Sequence, residues 1–360
     1  MTDKVSILTS VYNKAPWLER WFNAVESQTY QNLEIVVVDN ASTDGSGEII
    51  DRHASKDERI KVIRVDVNRG PSGGYNLALK NATGKWFTFI DSDDTVDDDY
   101  IEVLLNAAIK YKADVAMCLN DIVYPDGKTI HKPWPKEGEY LIKDNDLLRC
   151  QLLDELSSKY FGYNMPEVGA VWIKLARTDI AIANGIFFNE DLWTWTDFDF
   201  WLRYLSHINS LTYTTGTKYH FFQSYDSVTR KSNYNKEFVR RILLAIDAID
   251  NDIKENRVKL QEAANVFISA RFFECIRYVY HNRKALTRQE RSSQFKLLLN
   301  NEVIKRLAKE YKPSFRDAID NLSYRLAIKG HYSLYMCNQR LYDKSYDVIL
   351  SIWKLLKKVR

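Results

Sequence analysis

The first hundred residues alternate between short apolar runs and segments whose apolar residues recur at helical spacing. The apolar runs predict β-strands at residues 5–11, 35–38, 60–65 and 86–90, and the helical spacing predicts helices at residues 16–25 and 74–82. The run at 35–38 is apolar throughout, as expected of a parallel strand that is buried on both faces. Strands and helices that alternate in this way predict an α/β fold, Rossmann-like, with a mostly parallel sheet and helices on both faces.

Polar residues follow each of the four predicted strands directly. Ligands of an open parallel sheet bind at the carboxyl ends of its strands, so these residues are the candidates for chemistry. The four segments are Tyr12-Asn13, Asp39 to Ser46, Asn68 to Asn76, and Asp91 to Asp94. Their common position predicts one polar site at this rim of the sheet.

The segment after the fourth strand is strongly acidic, since residues 91–99 hold six aspartates. Residues 97–99 are expected in the first turn of the next helix, where the helix dipole favours negative charge. That role does not cover Asp91, Asp93 and Asp94, whose like charges raise one another's pKa or require a cation. Two carboxylates at positions i and i+2 can present oxygens to one Mg²⁺ or Mn²⁺, and such ions keep places for phosphate oxygens.

The composition excludes several classes of protein. Apolar residues make up 45% and charged residues 28%, which is typical of a globular protein and excludes disorder as the main state. No apolar run approaches the roughly 18 residues of a membrane-spanning helix, and we expect no signal peptide at the start. The four cysteines are far apart and form no Cys-x-x-Cys pair. We therefore expect neither a zinc site nor disulfides, and a cytoplasmic location.

The charge and the turn-forming residues divide the chain into two parts. Its 360 residues suggest two domains at roughly 150 residues each. Residues 1–234 hold 25 Lys and Arg against 34 Asp and Glu, whereas residues 235–360 hold 26 against 14. Twelve of the thirteen glycines lie at or before Gly216. We therefore predict an α/β domain at 1–230 and a basic, α-helical domain at 231–360.

The rim segments together resemble the family 2 glycosyltransferases, which are inverting nucleotide-sugar enzymes of the GT-A fold. The resemblance covers residues 4 to about 100 and continues more weakly to about 230. The matching segments are Ser10-Val11-Tyr12-Asn13, Val38 to Ser46, Asn68-Arg69-Gly70 with Asn76 and Leu77, and Phe89 to Asp94. The resemblance implies a GT-A domain that binds a UDP-sugar and a divalent cation, Mn²⁺ or Mg²⁺.

The resemblance also implies a role for each matched residue. Asp39 would hold the uracil ring, Asp91 would be the ribose-side or metal-side carboxylate, and Asp93 would be the direct metal ligand. His220 is a further candidate for the metal shell or the pyrophosphate, although a lone histidine is more often structural. The other residues implied to contact the nucleotide are Thr9, Val11, Tyr12, Asn68, Gly70 and Ser92.

The chain departs from the family pattern in the segment after the third strand. Family members often carry Ala-Arg-Asn where this chain has Gly74-Tyr75-Asn76. A cationic contact to the donor is therefore missing or comes from elsewhere, and Arg69 is the nearest candidate. A later departure is Gln223. The family has an aromatic residue followed by Arg at this point, and Gln223 stands in place of the Arg.

The family places its catalytic base in a Glu-Asp-x-x-Phe motif that opens a helix. The matching stretch here begins Thr196-Asp197-Phe198 and continues at helical spacing, so Asp197 is the implied general base and Thr196 replaces the Glu. The alternative is that Thr196 and Asp197 only cap this helix. Asp199 is the second candidate for the base.

The resemblance does not extend to the C-terminal domain. The role of this domain therefore has to be inferred from its composition. Apolar residues at helical spacing predict helices over 235–312, and residues 324–360 alternate aromatic and basic side chains. One hypothesis is a bundle that mediates homo-oligomerisation, and we favour it. A second is peripheral contact with an anionic membrane at its inner face. No motif supports nucleic-acid binding.

The sequence thus predicts a glycosyltransferase that moves a hexosyl or N-acetylhexosaminyl group from a UDP-sugar to a hydroxyl. The acceptor would be a glycan or a lipid-linked or protein-linked sugar, in surface polysaccharide or glycoconjugate synthesis. One rival is a nucleotidyltransferase, which requires a Gly-rich basic loop after the first strand that this chain lacks. Another is a non-catalytic nucleotide-sugar-binding scaffold that acts through its C-terminal helices.

Overall fold

The computed structural model describes residues 3–131, 139–154, 167–223, 237–253, 258–281 and 286–310, with a few isolated positions beyond. The chain divides into two compact units, Met1–Lys231 and Ser232–Arg360. The functions assigned above to residues 1–230 and 231–360 remain predictions.

The described part of the first unit is built on one ten-stranded sheet. Its strands are β1 (Val5–Val11), β2 (Leu33–Asp39), β3 (Ile60–Arg64), β4 (Trp86–Phe89), β5 (Thr95–Val96), β6 (Val115–Val123), β7 (Thr129–His131), β8 (Tyr140–Ile142), β9 (Lys174–Arg177) and β10 (Leu211–Phe222). Their order is β3-β2-β1-β4-β9-β6-β10-β5, with β7 on β6 and β8 on β10.

The strand directions confirm the mostly parallel sheet. Six of the ten described strands run in the same direction, namely β1, β2, β3, β4, β6 and β10, whereas β5, β7, β8 and β9 are antiparallel to the strands they pair with. Every residue of β2 is buried, which explains its continuous apolar run. In the register of β1 and β2, Val11 lies opposite Asp39, so the polar residues after both strands start at the same rim.

Seven helices connect the described strands of the first unit. They are α1 (Ala15–Glu26), α2 (Ser46–Ala54), α3 (Gly70–Lys80), α4 (Tyr100–Tyr111), α5 (Asn145–Leu153), α6 (Thr178–Ala183) and α7 (Thr196–Leu205). α1 begins with Pro16 in its first turn and buries Leu18, Trp21, Phe22 and Val25, as the helical spacing predicts.

Two predicted helix starts are wrong by several residues. α3 begins at Gly70, four residues before the predicted start, because Pro71 fits the first turn of a helix. α4 begins at Tyr100 with Asp99 as its N-cap, so residues 97–99 precede the helix that they were expected to open. The side chains of Asp97 and Asp99 instead accept hydrogen bonds from Lys218 of β10.

The second unit is helical wherever it is described, as the sequence predicts. Its helices are α8 (Phe238–Asp252), α9 (Val258–His281), α10 (Arg288–Asn300) and α11 (Glu302–Glu310). α10 opens with a capping box, in which Thr287 and Glu290 satisfy each other's main-chain N–H groups. None of the helices in the described ranges is long and apolar enough to cross a membrane. Most of the aromatic and basic residues of 324–360 lie outside the described residues.

Candidate active site

The carboxyl end of β1 forms the first part of the site. Thr9 is buried, and its hydroxyl has no hydrogen-bond partner within the described parts of the chain. Leaving such a group unsatisfied costs about 1–3 kcal/mol, so an orphaned hydroxyl beside a polar rim fits a position that receives a ligand. Val11 is fully buried, whereas the Tyr12 side chain is 46% exposed and lies at the rim.

Asp39 ends β2 beside these residues. One of its carboxylate oxygens accepts a hydrogen bond from the main-chain N–H of Ser42 at 3.0 Å. The other oxygen lies 3.7 Å from Nε of Arg64. Asp39 is buried at the end of β2, and its implied contact with the uracil ring stays a prediction.

The loops after β1 and β2 are tied to each other by side chains of both. The Asn13 side chain accepts a hydrogen bond from the main chain of Thr43 at 2.8 Å, and Ser42 accepts one from the main chain of Asn13 at 3.1 Å. Ser46 accepts one from the main chain of Lys14 at 2.9 Å. The Asn-Ala-Ser-Thr-Asp-Gly-Ser segment thus fixes the loop that carries Tyr12 and Lys14.

The turn before α3 is held by two asparagines. Asn68 accepts a hydrogen bond from the Gly70 N–H at 2.7 Å, and Asn40 donates to the Gly70 carbonyl at 2.9 Å. Gly70 has φ of 70°, a left-handed conformation that favours glycine. Arg69, the candidate substitute for the missing cation, forms an ion pair with Glu190 at 3.0 Å.

The acidic residues after β4 form the centre of the site. The Tyr75 hydroxyl donates a short hydrogen bond to the Asp91 carboxylate. The Ser92 side chain is buried and donates to the main-chain carbonyl of Ser10 at 3.2 Å, which ties this loop to β1. Tyr75 packs between Phe89 and Phe188, and burial raises its pKa well above the ordinary value, so it remains a donor.

Asp93 is contacted by two cations from the chain. The Lys14 ammonium forms a short ion pair with its carboxylate, and Arg20 donates to its main-chain carbonyl at 2.5 Å. The Arg20 guanidinium stacks on the Phe222 ring, 3.4 Å from the centroid. Both cations come from the segment that starts just after β1.

Asp94 is engaged differently from its two neighbours. Its carboxylate accepts hydrogen bonds from the Tyr219 hydroxyl at 2.7 Å and from the Phe222 N–H at 2.8 Å. It is buried, and burial together with the charges of Asp91 and Asp93 raises its pKa well above the ordinary value. Asp94 therefore ties the acidic loop to β10.

His220 does not join the acidic pair in this structure. Its Nε2 lies 2.7 Å from Asp97, and its Nδ1 lies 3.9 Å from Asp121. Within the described ranges, no three His, Cys, Asp or Glu side chains are grouped as ligands of one metal ion. The structure therefore gives His220 a role in linking β10 to the segment before α4, and its predicted metal contact has no geometric support here.

The two candidate bases lie in the first turn of α7 and differ in their surroundings. Asp197 is partly buried and accepts a hydrogen bond from the Thr196 hydroxyl at 3.1 Å. Asp199 is 2% exposed, and its carboxylate forms a short ion pair with Arg203, which also donates to the Phe187 carbonyl at 2.7 Å. Trp195 is the N-cap of this helix, so Thr196 and Asp197 are not its capping residues.

The charges of Asp93 and Asp197 both act on Asp91. Burial raises the pKa of Asp91 to about 7; the charges of Asp93 and Asp197 add to this shift, and the Tyr75 hydrogen bond and Lys14 oppose it. Burial raises the pKa of Asp197 to about 6, against the opposing effects of Thr196 and Lys174. The charge of Asp197 is thus felt at Asp91, whose raised pKa reflects an excess of negative charge around it.

This arrangement fits a divalent cation. Two carboxylates at i and i+2 supply the oxygen ligands that Mg²⁺ and Mn²⁺ prefer, and a bound cation would relieve the repulsion that raises the pKa of Asp91. The residues that would hold it are Asp91 and Asp93.

Three residues of the site were not found from the sequence. Lys14 and Arg20 contact Asp93, and Tyr75 contacts Asp91. Lys14 could have been predicted from the sequence, because it directly follows the polar residues at the end of β1. Tyr75 lies in the polar segment predicted after the third strand, where it replaces the Arg of the family, but no role was assigned to it. Arg20 carried no signal, since it lies within a helix and reaches the acidic loop only through tertiary packing.

Residues 6–165 match the model of the family "Glycosyl transferase family 2". These residues belong to glycosyltransferase family 2. The match contains the four strand ends that line the site, and it ends before the segment that carries Asp197. The recognition made from the rim segments is confirmed for this part of the chain.

Curated relatives are similar over the same part. Glycosyltransferase GlyA of Streptococcus pneumoniae serotype 4 is 41% identical over 115 residues, which are 32% of this chain and 16% of GlyA. The putative teichuronic acid biosynthesis glycosyltransferase TuaG of Bacillus subtilis is 32% identical over 150 residues, 41% of this chain and 59% of TuaG. The chain spans less than two thirds of the length of these relatives.

Solved structures share the fold. S. aureus TarS 1–349 in complex with UDP-GlcNAc matches with a TM-score of 0.72 at 20% identity, over 95% of this chain and 92% of that one. The complex of the same protein with UDP matches with a TM-score of 0.70 at 19% identity, over the same shares of the two chains. The GT-A-like fold that the resemblance implied is thereby confirmed.

Proposed function

We propose that this protein is an inverting, metal-dependent glycosyltransferase. It moves a hexosyl or N-acetylhexosaminyl group from a UDP-sugar to a hydroxyl of a glycan, or of a lipid-linked or protein-linked sugar. One observation carries the proposal. Asp91 and Asp93 follow β4 at the carboxyl ends of the parallel strands, and the charge of Asp197 in α7 adds to the raised pKa of Asp91. A donor-side acidic pair and a separate carboxylate base are the two parts that such a transfer requires.

The donor would lie along the ends of β1, β2 and β4. The Asp39 carboxylate would bind the uracil ring beside Thr9 and Tyr12, and the turn of Asn68 and Gly70 would close over the nucleotide. Asp91 and Asp93 would hold Mn²⁺ or Mg²⁺, which offsets the charge that develops on a diphosphate leaving group. The UDP complexes of TarS support this placement, because that protein has the same fold.

Asp197 would act as the general base. With a pKa of about 6, its carboxylate is mostly ionised at neutral pH and basic enough to take a proton from the acceptor hydroxyl. The acceptor oxygen then bonds to the anomeric carbon as the bond from that carbon to the phosphate oxygen breaks, and UDP leaves with the electron pair. Attack from the face opposite UDP inverts the anomeric centre.

The surroundings of Asp199 favour Asp197 as the base. The Asp199 carboxylate is buried and forms an ion pair with Arg203 within α7. This ion pair engages the Asp199 carboxylate, which makes it less available than Asp197 to an acceptor hydroxyl. Asp199 is therefore assigned to the stability of α7.

Screening nucleotide sugars for hydrolysis tests the proposal. In the presence of Mn²⁺, we expect the protein to release UDP from at least one UDP-hexose or UDP-N-acetylhexosamine, and chelation of the metal to stop the release. UDP binding without hydrolysis or transfer would favour the non-catalytic scaffold. Absence of UDP binding would refute the nucleotide-sugar assignment.

The partners and the location belong to the same proposal. We infer a cytoplasmic protein that assembles into homo-oligomers through residues 231–360, with contact to anionic membrane as a second possibility. The basic composition of this part and its helices support both. Sedimentation at micromolar concentration separates them, because a monomer that binds anionic vesicles would reverse the order.

A further inference from the structure

A buried lysine lies next to the proposed base. Lys174 is the first residue of β9 and is 1% exposed. Its ammonium donates to three main-chain carbonyls, those of Ala170 at 2.5 Å, Glu167 at 3.3 Å and Trp172 at 3.4 Å. It also lies 4.7 Å from the centroid of the Trp201 ring in α7. Burying an ammonium costs free energy unless it is well hydrogen-bonded, so a lysine buried at this position indicates that the position serves a purpose.

All three carbonyls belong to residues 167–173, which we call the acceptor-side turn. Glu167 and Ile173, at its two ends, have φ of 62° and 64°, a left-handed conformation that is strained for residues with a side chain. Such strain costs about 1–3 kcal/mol per residue and persists only where the surroundings fix the backbone. The Lys174 ammonium supplies that fixation, because it gathers carbonyls from both ends of the turn.

The acceptor-side turn touches both halves of the proposed site. Gly169 packs so closely on α7 that an added Cβ would lie 2.6 Å from the ring of Phe198, the residue after Asp197. Trp172 stacks on the Tyr219 ring at 4.9 Å, and the Tyr219 hydroxyl binds Asp94. A shift of this turn would therefore move the start of α7 relative to the acidic loop.

The charge of Lys174 also reaches Asp197, whose pKa it lowers against the effect of burial. Asp197 also accepts a hydrogen bond from the Thr196 hydroxyl. The charge of Asp197 in turn raises the pKa of Asp91 and of Tyr75. Among these groups, Lys174 is the cation that favours the ionised base.

We propose that Lys174 is a positioning residue for the transfer, whose ammonium holds the acceptor-side turn against the first turn of α7 and so places Asp197 at the incoming hydroxyl. This inference rests on the proposed function. It adds a residue that touches neither donor nor acceptor, and whose loss would affect turnover more than donor binding.

The test compares K174M, K174R and the control K85M in hydrolysis of UDP-GlcNAc, in which water takes the place of the acceptor. Lys85 also forms an ion pair, with Asp3 at 2.8 Å, but is exposed. We expect K174M to lower kcat about 10- to 100-fold while the Kd for UDP stays within twofold. The pH below which kcat falls should also be higher in K174M than in the wild type. K174R should recover most of kcat and return this pH to the wild-type value, and K85M should match the wild type in both.

If K174M folds poorly, hydrogen exchange and a second variant still test the proposal. We expect exchange in K174M to rise at residues 167–173 and 195–199 but not at residues 33–39. G169A keeps Lys174 but pushes the turn away from Phe198, and should lower kcat at least tenfold with unchanged UDP binding.

Two results would overturn the inference while leaving the proposed function intact. The first is a wild-type kcat in K174M or G169A. The second is a loss of kcat in K174M with no change in the pH below which kcat falls and with exchange raised across the whole first unit, which would make Lys174 merely structural. A wild-type protein that neither binds UDP nor hydrolyses any donor would refute the proposed function and this inference with it.

Discussion

The donor side of the site and its acceptor side are built in opposite ways. On the donor side, residues 9–14, 39–46 and 91–94 lie at or just after the ends of parallel strands, and hydrogen bonds from their side chains tie their loops together. On the acceptor side, Asp197 begins a helix whose position depends on a strained turn and on a buried ammonium from β9. The donor side is thus held by a network of hydrogen bonds between strand-end loops, whereas the acceptor side depends on one ammonium within the turn and on the packing of Gly169 against Phe198 of α7.

This difference has a physical consequence for how each side tolerates change. A loop anchored by its own hydrogen bonds loses one contact when one residue is altered, and its neighbours remain in place. An element held by tertiary packing can shift as a unit, and a shift of 1 Å at a reacting group can cost about 100-fold in rate. We therefore expect donor-side variants to lose particular binding steps, and acceptor-side variants to lose turnover while donor binding is kept.

The largest effect is expected on the donor side, from D93N. Loss of one carboxylate ligand should remove the metal's contribution to charge stabilisation, several kcal/mol, and so lower Mn²⁺-dependent turnover by about 10³-fold or more. The fold should be kept, because the acidic repulsion around Asp91 is relieved. Turnover is measured by UDP release, and thermal unfolding serves as the folding control. Unchanged Mn²⁺-dependent turnover would remove Asp93 from the site.

The pair D197N and D199N tests the acceptor side. D197N should lower turnover by about 10²–10⁴-fold while UDP binding stays unchanged, because a general base is lost and the donor side is not. D199N weakens the ion pair with Arg203, so it should mainly lower the melting temperature. If D199N loses turnover at an unchanged melting temperature and D197N does not, the roles of the two residues are exchanged.

The pH profile gives a smaller but sharper measure of the acceptor side. Asp197 acts as a base only when it is ionised, and its pKa is about 6. We expect kcat/KM to be flat above neutral pH and to fall about tenfold per pH unit below 6. UDP binding measured over the same range separates this limb from changes on the donor side. If the residual activity of D197N still falls below pH 6, the pH dependence belongs to another group.

The smallest effect on activity is expected from E34Q, at the amino ends of the donor-side strands. Glu34 accepts hydrogen bonds from Ser6, Thr83 and Lys4, and its pKa is lowered to about 2 because these bonds outweigh its burial. A lowered folded-state pKa stabilises the protein above the unfolded-state value of 4.5 and loses that effect as pH falls toward 2. E34Q should therefore lower the free energy of unfolding by about 3 kcal/mol at neutral pH.

Denaturant unfolding at several pH values measures this effect, with E58Q as an exposed control. The difference between wild type and E34Q should shrink below pH 5, while UDP binding at neutral pH stays close to wild type. A difference that does not depend on pH would contradict the ionised role of Glu34.

The places of the donor-side residues in the fold could be predicted because these residues are tied to regular elements. Apolar runs place β1, β2 and β4, and the polar residues that follow each strand reach one rim by topology alone. The same rule cannot find Arg20, which lies within a helix and contacts the acidic loop across the fold.

The acceptor side was predictable only through the resemblance that pointed to Asp197. The left-handed turn at Glu167 and Ile173 and the buried Lys174 follow from packing between β9 and α7, for which local sequence carries no signal. The place of His220 was missed for the same reason, since its partners Asp97 and Asp121 come from separate segments.

Calorimetric titration with UDP, with Mn²⁺ present and with the metal chelated, tests the central claim most directly. That claim is that the ends of β1, β2 and β4 bind a uridine diphosphate together with a divalent cation held by Asp91 and Asp93. We predict that wild-type protein binds UDP at least tenfold more tightly with Mn²⁺ than with chelator, and that D93N removes this difference. Binding of equal strength under both conditions, or no binding of UDP at all, would contradict the claim.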